Sequence, residues 1–534
     1  MKKYQMMTRT ILLLLVFASL LSVFAACGGD DEDGKKGGNK GNTAVTDKRL
    51  EGFEALDLPE TEIVISLSKF SSSQIPEGSY QYVEGPDRVG SDGVLNLIYE
   101  RNQNVKNAVN VTPTYVYTSL AWNEIAEDVT KHVMMPSKGT PDLYVDQIYG
   151  MVRAQMQGNL MNVLTKDEKN HFDFGDDKTV NDQGWYNAYM NAFNFASDEK
   201  MYMLVGDYFM GVIRMLNLTG VNLTDFEAYF LKGNSEKPEL GTGKDYFYNT
   251  VETGGWTVDQ MIEWSNVAYK DTNSNSKKDK DDRLGVLLYE GGPAAMSLLP
   301  AHDVSLYKVS DDGKKYSVGL SQTAVESINK WQQAVASKGL YLMPYAEHAN
   351  DYSLLSGTFI DGDVLFAPGI LLHQLESQEM KGMEDQKCLV PYPKLSEEDS
   401  YYVFTHDNAR VGGILKTTLK FEAVSAWLQA SSMVSDKILD EYYNVALKYK
   451  NGTDYGSTKM LDIVYDHICN PKWIVDSAIL SVTNNSFTKE KERPTHFSRV
   501  TQDKTNTYSS TYNAAKNRLT EALKDYQEIF ANLK

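Results

Sequence analysis

Asp271-Thr272-Asn273-Ser274-Asn275-Ser276-Lys277-Lys278-Asp279-Lys280-Asp281-Asp282 is the densest run of oxygen donors in the chain. Asp271, Asn273, Asn275, Asp279 and Asp282 place side-chain oxygens at loop positions 1, 3, 5, 9 and 12, and Lys277 offers its backbone carbonyl at position 7. A hard divalent cation such as Ca2+ takes about six to eight oxygen ligands, and this is the spacing of the calcium loop of an EF-hand. Ser276 stands where the turn normally needs Gly, and Asp282 replaces the bidentate Glu, so a weak or small coordination sphere is expected. A polar Asn/Asp/Lys turn is the plain alternative. Bound Ca2+ would be structural.

Catalytic signatures are thin. Ser66-Leu67-Ser68-Lys69 matches the S-x-x-K of penicillin-interacting enzymes, but no S-D-N or K-T-G partner follows. The same pattern recurs at Ser274–Lys277, which shows how cheaply it arises. There is no G-x-S-x-G, no phosphate-binding G-x-x-x-x-G-K-[ST] and no H-E-x-x-H, and the 8 His are scattered. The expectation is a protein that is not an enzyme.

Lys2, Lys3 and Arg9 precede an uncharged, mostly apolar run from Ile11 to Ala26, which ends in Phe24-Ala25-Ala26-Cys27-Gly28-Gly29. A basic start, a short apolar core and small residues at the end make a secretory signal. The run falls short of the roughly 20 apolar residues of a comfortable membrane span. With Cys27 directly after Ala-Ala, the stretch resembles a bacterial lipobox, which implies cleavage before Cys27 and lipid attached to it. Residues 1–26 then form a lipoprotein signal and 27–54 a tether. Gly28 to Asn42 carries Asp30, Asp31, Glu32, Asp33, Lys35, Lys36 and Lys40 with no apolar side chain, so nothing there can offset ordering entropy.

The 508 residues from Cys27 onward are too many for one simple core, so two or more lobes are expected. Net charge is −19, and −22 once the three cations of the signal are removed. That surface repels phosphate backbones and anionic lipid, so no nucleic-acid partner is expected and attachment depends on acyl chains. With Cys27 assigned to lipid, Cys388 and Cys469 remain; they read as two buried free thiols, though sequence leaves their pairing open. The 33 Tyr suit a site needing flat apolar faces with polar tips.

Short β-rich runs alternate with helical ones. Glu62–Leu67, Val109–Tyr117 and Asp142–Asp146 read as strands, with helices over Gly93–Asn107, Trp122–His132 and Ile148–Leu160 between and after them. Lys200–Val205, Leu284–Leu288, Asp363–Phe366 and Val411–Leu415 read as further strands. Thr257 with Gln260, and Thr323 with Glu326, have capping-box spacing before helical apolar patterns. A helix follows from Phe421 to Val434, and Asn513–Leu533 closes the chain as an amphipathic helix. The β-α-β-α order predicts an α/β protein with largely parallel sheets. Such folds bind ligands at the carboxyl ends of strands. Candidate ligand residues by that rule are Lys69, Phe70, Trp122, Asp146, Gln147, Asp207, Tyr208, Tyr289, Glu290, Asp407, Asn408 and Arg410.

Several segments, in this order, resemble bacterial extracellular solute-binding proteins of family 1, the receptors of ABC importers. Gly139–Tyr144 resembles the "G-x-PDl" strand, Lys200-Met201-Tyr202 the "kiya" strand, and Gly255–Met261 the "WTWDEf" helix start. Phe359–Leu365 resembles "F-x-x-GkaAM", Val390–Pro393 the strand ending "P-x-P", and Gly412–Leu415 with Ala423 and Trp427 "gg-x-isk … Aw-x-f". The matching segments run from about residue 55 to the C-terminus. Pro368-Gly369-Ile370-Leu371-Leu372 lacks the aromatic that sugar-binding members often carry there, which argues against a malto-oligosaccharide ligand.

The resemblance implies a two-lobed, type II periplasmic-binding-protein-like fold, each lobe a mainly parallel sheet flanked by helices and joined by crossing strands. Residues 55–205 with 405–470 form one lobe and 206–404 with 471–534 the other. It implies a lipid-anchored, monomeric receptor on the outer face of a bacterial membrane. Such a receptor binds a carbohydrate in the interlobe cleft and delivers it to ABC permease subunits. Trp473 and Tyr508 lie where some sugar-binding relatives place a stacking aromatic, and similar Ca2+ loops follow the "WTWDEf" helix in several members. A SusD-like glycan-binding lipoprotein, built of helical repeats, and a secreted hydrolase are the alternatives.

Overall fold

The structure is a computed structural model that describes residues 47–72, 74–175, 182–289, 298–310, 312–344, 353–449, 454–468, 472–482 and 508–534. The signal, Cys27, the tether up to residue 46, Glu290 and Cys469 lie outside the described residues, as do the side chains of Trp473 and Tyr508.

Two sheets organise the chain. The first contains β1 (Thr61–Ser68), β2 (Val111–Thr118), β3 (Leu143–Gln147) and β12 (Arg410–Ile414), in the order β12-β3-β1-β2. β1 pairs parallel with both β2 and β3, while β12 returns antiparallel along β3. Central β1 is buried from Ile63 to Ser68, which explains its nearly unbroken apolar run. Helix Gly93–Val109 makes the crossover from β1 to β2. Asp92 caps its start by accepting from the Leu95 N–H (3.1 Å), and left-handed Asn110 (φ 53) ends it.

The second sheet runs β10-β4-β9-β5-β8. Its members are β4 (Leu216–Asn222), β5 (Leu284–Tyr289), β8 (Leu340–Met343), β9 (Val364–Leu371) and β10 (Lys387–Val390). β5 is parallel to β8 and β9, whereas β4 is antiparallel to β9 and β10, and the short β11 (Phe404–Thr405) also pairs with β4. This sheet is therefore evenly mixed. A small hairpin, β6 (Tyr307–Val309) with β7 (Tyr316–Val318), stands apart.

Several elements differ from the sequence reading. Lys200–Val205 forms no regular strand; it contributes one bridge, Leu204 to Gly412 on β12. The strand expected to stop at Phe366 continues through Pro368 to Leu371. A proline is tolerated there because β5 pairs no further than Phe366 and the ladder with β4 shifts register at Leu218/Thr219. Helix Gln322–Ala336 is capped by Ser321, which accepts from the Ala324 N–H (3.1 Å), so Thr323 sits inside it. Thr257 does cap helix Val258–Ala268, accepting from the Gln260 N–H (3.2 Å), but the Gln260 side chain turns to Glu263 instead of closing the box.

Helix Tyr455–Asp466 packs on β10 and helix Gly243–Glu252, although residues 405–470 were expected with the first sheet. Asp454 holds it there, pairing with Lys244 (2.8 Å) and accepting from the Tyr248 hydroxyl (2.9 Å). Conversely, helices Lys472–Val482 and Tyr508–Asn532 pack against helix Ile148–Met156, which follows β3. Lys200 Nζ donates to the Ala531 carbonyl (2.6 Å) to fix the end of the chain.

Most of the aromatic content is core. Trp185, Trp256, Trp264, Trp331 and Trp427 are fully buried. Trp264 packs edge-on to Phe226 (4.8 Å between centroids), and Trp256 donates to the Pro391 carbonyl (2.9 Å) beneath Phe366. Burying a large apolar side chain contributes roughly 1.5–3 kcal/mol, so this cluster anchors the second sheet. Cys388 on β10 is a buried free thiol whose pKa burial raises well above the usual value.

Candidate functional site

The carboxyl ends of β1, β2 and β3 converge, because parallel strands end on the same edge. β2 ends at Tyr117-Thr118, and Tyr117 is exposed. Lys69, just past β1, lays its ammonium over Tyr117 (3.4 Å to the centroid) and Tyr80 (4.5 Å). The Tyr117 hydroxyl donates to Glu84 (2.7 Å). Phe70 is half-buried beside Lys69, its N–H donating to the Ser68 hydroxyl (3.3 Å).

Trp122 follows β2 and is 46% exposed. Its ring meets Tyr149 edge-on at 5.1 Å. A methyl group on Gly150 would come within 2.5 Å of Ile125 and 3.0 Å of the Trp122 carbonyl, so glycine permits this close packing. Among the described tryptophan side chains, Trp122 is the one left open to solvent. A flat apolar face with a wet edge can stack on a sugar ring.

Below this rim lies a polar cluster that solvent does not reach. Asp146 and Gln147 end β3 and Arg410 begins β12, paired opposite Gln147 in the ladder. The Arg410 side chain reaches over to β1, where Nη2 donates to the Ser68 carbonyl (2.8 Å), while Nη1 has no partner. Asp146 Oδ1 accepts from the Gln147 N–H (2.8 Å), but Oδ2 is buried without a partner, as is Gln147 Nε2. Burial pushes the Asp146 carboxyl up to about 6 and the Arg410 guanidinium down to about 10. Buried polar atoms without partners are costly, and each one calls for a ligand, water or ion.

The chain crossing between the sheets supplies the floor. His406 is buried, with Nδ1 2.9 Å from the Asn408 N–H and 2.8 Å from Asp407, and Nε2 unpartnered. Asn408 donates to the Gln74 side chain (3.3 Å). His373, beyond β9, donates from Nε2 to the Gln74 carbonyl (2.9 Å), joining the second sheet's connections to the first. Burial holds His373 down to about 4, so it is neutral at pH 7. Met210 (φ 54) and Gly211 bring the other crossing segment against Arg410; a methyl on Gly211 would sit 2.3 Å from the Arg410 carbonyl oxygen.

The structure thus brings together Asp146, Gln147, Asn408 and Arg410, with Asp407 half-buried beside His406 and with Lys69, Phe70 and Trp122 on the sheet edge above. It buries Asp207, Tyr208 and Tyr289. The Tyr208 ring lies under the Arg101 guanidinium (4.7 Å), and its hydroxyl accepts from Trp427 (3.2 Å). Asp207 is buried with Oδ1 unpartnered, its carboxyl pushed by burial up to about 7. Tyr289 is buried at the end of β5 in the second sheet. Trp473 lies in helix Lys472–Val482 and Tyr508 starts the final helix. Sequence reasoning missed Gln74, Tyr80, Tyr117 and Tyr149. Tyr117 was available as the last aromatic of its strand, but no strand signal marks Gln74 or Tyr80, which sit in the connection after β1.

The calcium-like loop is closed by a Lys270–Arg283 bridge. Ser276 adopts the left-handed conformation (φ 60) that the turn demands, and its N–H donates to Asp271 Oδ2 (2.9 Å). Asp271 Oδ1 is buried without a partner, which fits a hard cation. Asp282 accepts from the Tyr269 hydroxyl (3.0 Å) and the Thr272 N–H (3.3 Å). Asp279 takes hydrogen bonds from the side chains of Asn273 (3.2 Å) and Asn275 (2.7 Å). The Lys277 N–H donates to Asn275 Oδ1 (2.6 Å). Among the described residues no group of three or more His, Cys, Asp or Glu is gathered as a metal site.

No protein-family model and no curated protein matches this sequence. Solved structures do. The galacto-N-biose/lacto-N-biose I-binding protein of an ABC transporter from Bifidobacterium longum, in complex with lacto-N-biose, is similar with a TM-score of 0.51 and 12% identity, over 87% of this chain and 98% of that one. A cyclic α-maltosyl-1,6-maltose binding protein from Arthrobacter globiformis has a TM-score of 0.48 and 9% identity over 88% and 99%. A family 1 extracellular solute-binding protein from Bifidobacterium longum subsp. infantis has 0.47 and 14% over 89% and 100%. The mixed α/β sheets and the likeness to the lacto-N-biose-binding structure together identify the chain as a two-lobed α/β protein with the fold of extracellular solute-binding proteins.

Proposed function

We propose that this protein is a lipid-anchored extracellular receptor that binds a carbohydrate between its two lobes and delivers it to an ABC importer. The observation that carries this reading is the strand-end arrangement at the first sheet. An exposed Trp122 stands on the same sheet edge as buried, unpartnered polar atoms of Asp146, Gln147 and Arg410. An aromatic face for ring C–H groups, with donors and an acceptor below it for hydroxyls, is what a sugar requires. The shared fold supports the reading, and the solved relative named above is itself a disaccharide-binding protein of an ABC transporter. No helix among the described residues is long and apolar enough to cross a membrane.

Two mixed sheets flanked by helices are at odds with a helical-repeat glycan binder. A hydrolase would need a nucleophile or an acid–base pair, and the buried carboxylate of this cluster, Asp146, accepts from the Gln147 N–H and feels the Arg410 charge. The calcium loop is part of the same proposal: Asp271, Asn273, Asn275, Asp279 and Asp282, with the Lys277 carbonyl, would hold Ca2+ and supply rigidity.

A thermal-shift screen of mono- and oligosaccharides tests the function. A ligand at about 100 times its dissociation constant adds about 2.7 kcal/mol to native stability. Turnover of any glycan in the same panel, or no shift with any saccharide, contradicts the receptor reading.

A further inference from the structure

Three of the unpartnered polar groups at the cleft floor belong to donor-bearing side chains: Arg410 Nη1, Gln147 Nε2 and the His406 ring at Nε2. Arg214, whose charge is felt at Arg410, is paired with Glu376 at 3.1 Å. His373 is neutral at pH 7, held down to about 4 by burial. Arg410 is 7% exposed, yet its hydrogen bond is to a carbonyl, and no carboxylate among the described residues forms an ion pair with it. Asp146 contributes a field but not a contact, and one of its oxygens is already bound to the Gln147 N–H. Lys69, next to the Ser68 carbonyl that Arg410 binds, is a second cation at the same edge, with Glu84 as its nearby carboxylate. A buried guanidinium with an unpartnered Nη1 and no carboxylate in contact is expensive, and an anionic group that completes it is stabilising.

We propose that the ligand is an acidic saccharide, whose ring carboxylate is received by Arg410 Nη1 with Gln147 Nε2 beside it. This rests on the carbohydrate-receptor reading and narrows it. A guanidinium and a primary amide present N–H groups to two oxygens of one carboxylate, a geometry that a neutral hydroxyl cannot match. Asp146 Oδ2 remains as acceptor for a neighbouring hydroxyl, and Trp122 covers the ring. The cluster is shut from solvent in this structure, so the ligand reaches it when the lobes part. Arg410 is therefore the residue that sets specificity: a neutral sugar of the same shape would leave its charge buried and unpaired.

Calorimetry on the mature, full-length protein tests this with oligogalacturonate, oligomannuronate and glucuronate-containing disaccharides, each alongside its carboxyl-reduced neutral counterpart. The expected result is that one acidic oligosaccharide binds and that carboxyl reduction weakens it at least about 30-fold. This comparison alters the ligand alone, so a folding defect cannot mimic it. Arg410→Met should abolish the preference for the acidic ligand over its reduced counterpart, with Arg410→Lys partly restoring it. Equal or tighter binding of the neutral counterparts overturns the inference and leaves the receptor reading standing. Binding of neutral saccharides only, outside this panel, does the same. Failure of every saccharide, acidic or neutral, overturns both.

Discussion

Arg214 and Glu376 form a buried ion pair, Nη2 to Oε2 at 3.1 Å, into which two tyrosines from other parts of the chain also donate. Tyr82 reaches Oε2 at 2.8 Å and Tyr442 reaches Oε1 at 2.5 Å, while the Arg214 guanidinium lies over the Tyr82 ring at 3.5 Å. Glu376 follows β9 of the second sheet, and Tyr82 lies between β1 and β2 of the first. Burial alone would raise the Glu376 carboxyl, but Arg214 and the tyrosine hydroxyls more than offset this and hold it below the usual carboxylate range. Glu376→Gln leaves Arg214 buried and unpaired, and should cost about 3–5 kcal/mol in urea unfolding. The double variant Arg214→Met/Glu376→Gln should cost less than Glu376→Gln alone. A loss below about 1 kcal/mol would mean that water already reaches the pair.

Trp122→Ala should weaken ligand binding by roughly 1–3 kcal/mol, since most of one aromatic's burial on the sugar is lost. The melting temperature should hardly change, because the side chain is 46% exposed in the free protein. Calorimetry with the ligand found by the screen measures the first, and a melting curve the second. Wild-type affinity in a folded Trp122→Ala protein would remove Trp122 from the site.

Ca2+ should stabilise the 271–282 loop. A chelator should lower the melting temperature of the wild type, and Asp271→Ala should abolish that sensitivity, because cation binding to the native loop adds directly to stability. Elemental analysis of the purified protein provides an independent check. A melting curve indifferent to both chelator and added Ca2+ leaves the polar turn.

Acid should act on His302. Its Nε2 donates to the Pro393 carbonyl (3.0 Å), so Nδ1 accepts from the Ser327 hydroxyl (2.6 Å), and burial holds the ring down to about 4. A histidine depressed in the folded state binds fewer protons there than when unfolded. Its contribution is complete above the unfolded value of about 6.5 and is lost as pH falls through about 4. Asp476 acts in the opposite sense: burial pushes it up to about 7, so the folded state favours its proton and stability falls as pH rises through that value. Asp476→Asn should therefore gain on the wild type above pH 7, and His302→Gln should flatten the acid limb between about pH 6.5 and 4, both followed by urea midpoints. Unchanged pH profiles in the two variants would show that neither group titrates as its burial implies.

Attachment should depend on Cys27. Cys27→Ser should release the chain or leave it unprocessed, because one acyl chain binds marginally and two or more anchor stably. Fractionation of expressing cells reads the outcome; normal membrane retention at mature length would exclude the lipoprotein.

The sequence by itself determined the elements whose patterns are local. β1 declared itself as an apolar run because it is buried on both faces, and Thr257 announced helix Val258–Ala268 because a cap is a contact between near neighbours. The strand-end rule likewise put Asp146 and Gln147 at the carboxyl end of a parallel strand, since parallel β-α units put strand ends on one edge. Tertiary structure decided the rest. That β4 runs antiparallel to β9 and β10 follows from pairings far apart in the chain, which no period of 2 or 3.6 encodes. Nothing in the sequence around Glu376 shows that Arg214, Tyr82 and Tyr442 converge on it from positions 162, 294 and 66 residues away. Tyr208 and Trp122 look equally apt as strand-end aromatics. Only packing separates them, because one is sealed between Arg101 and Trp427 and the other is left with a face to offer.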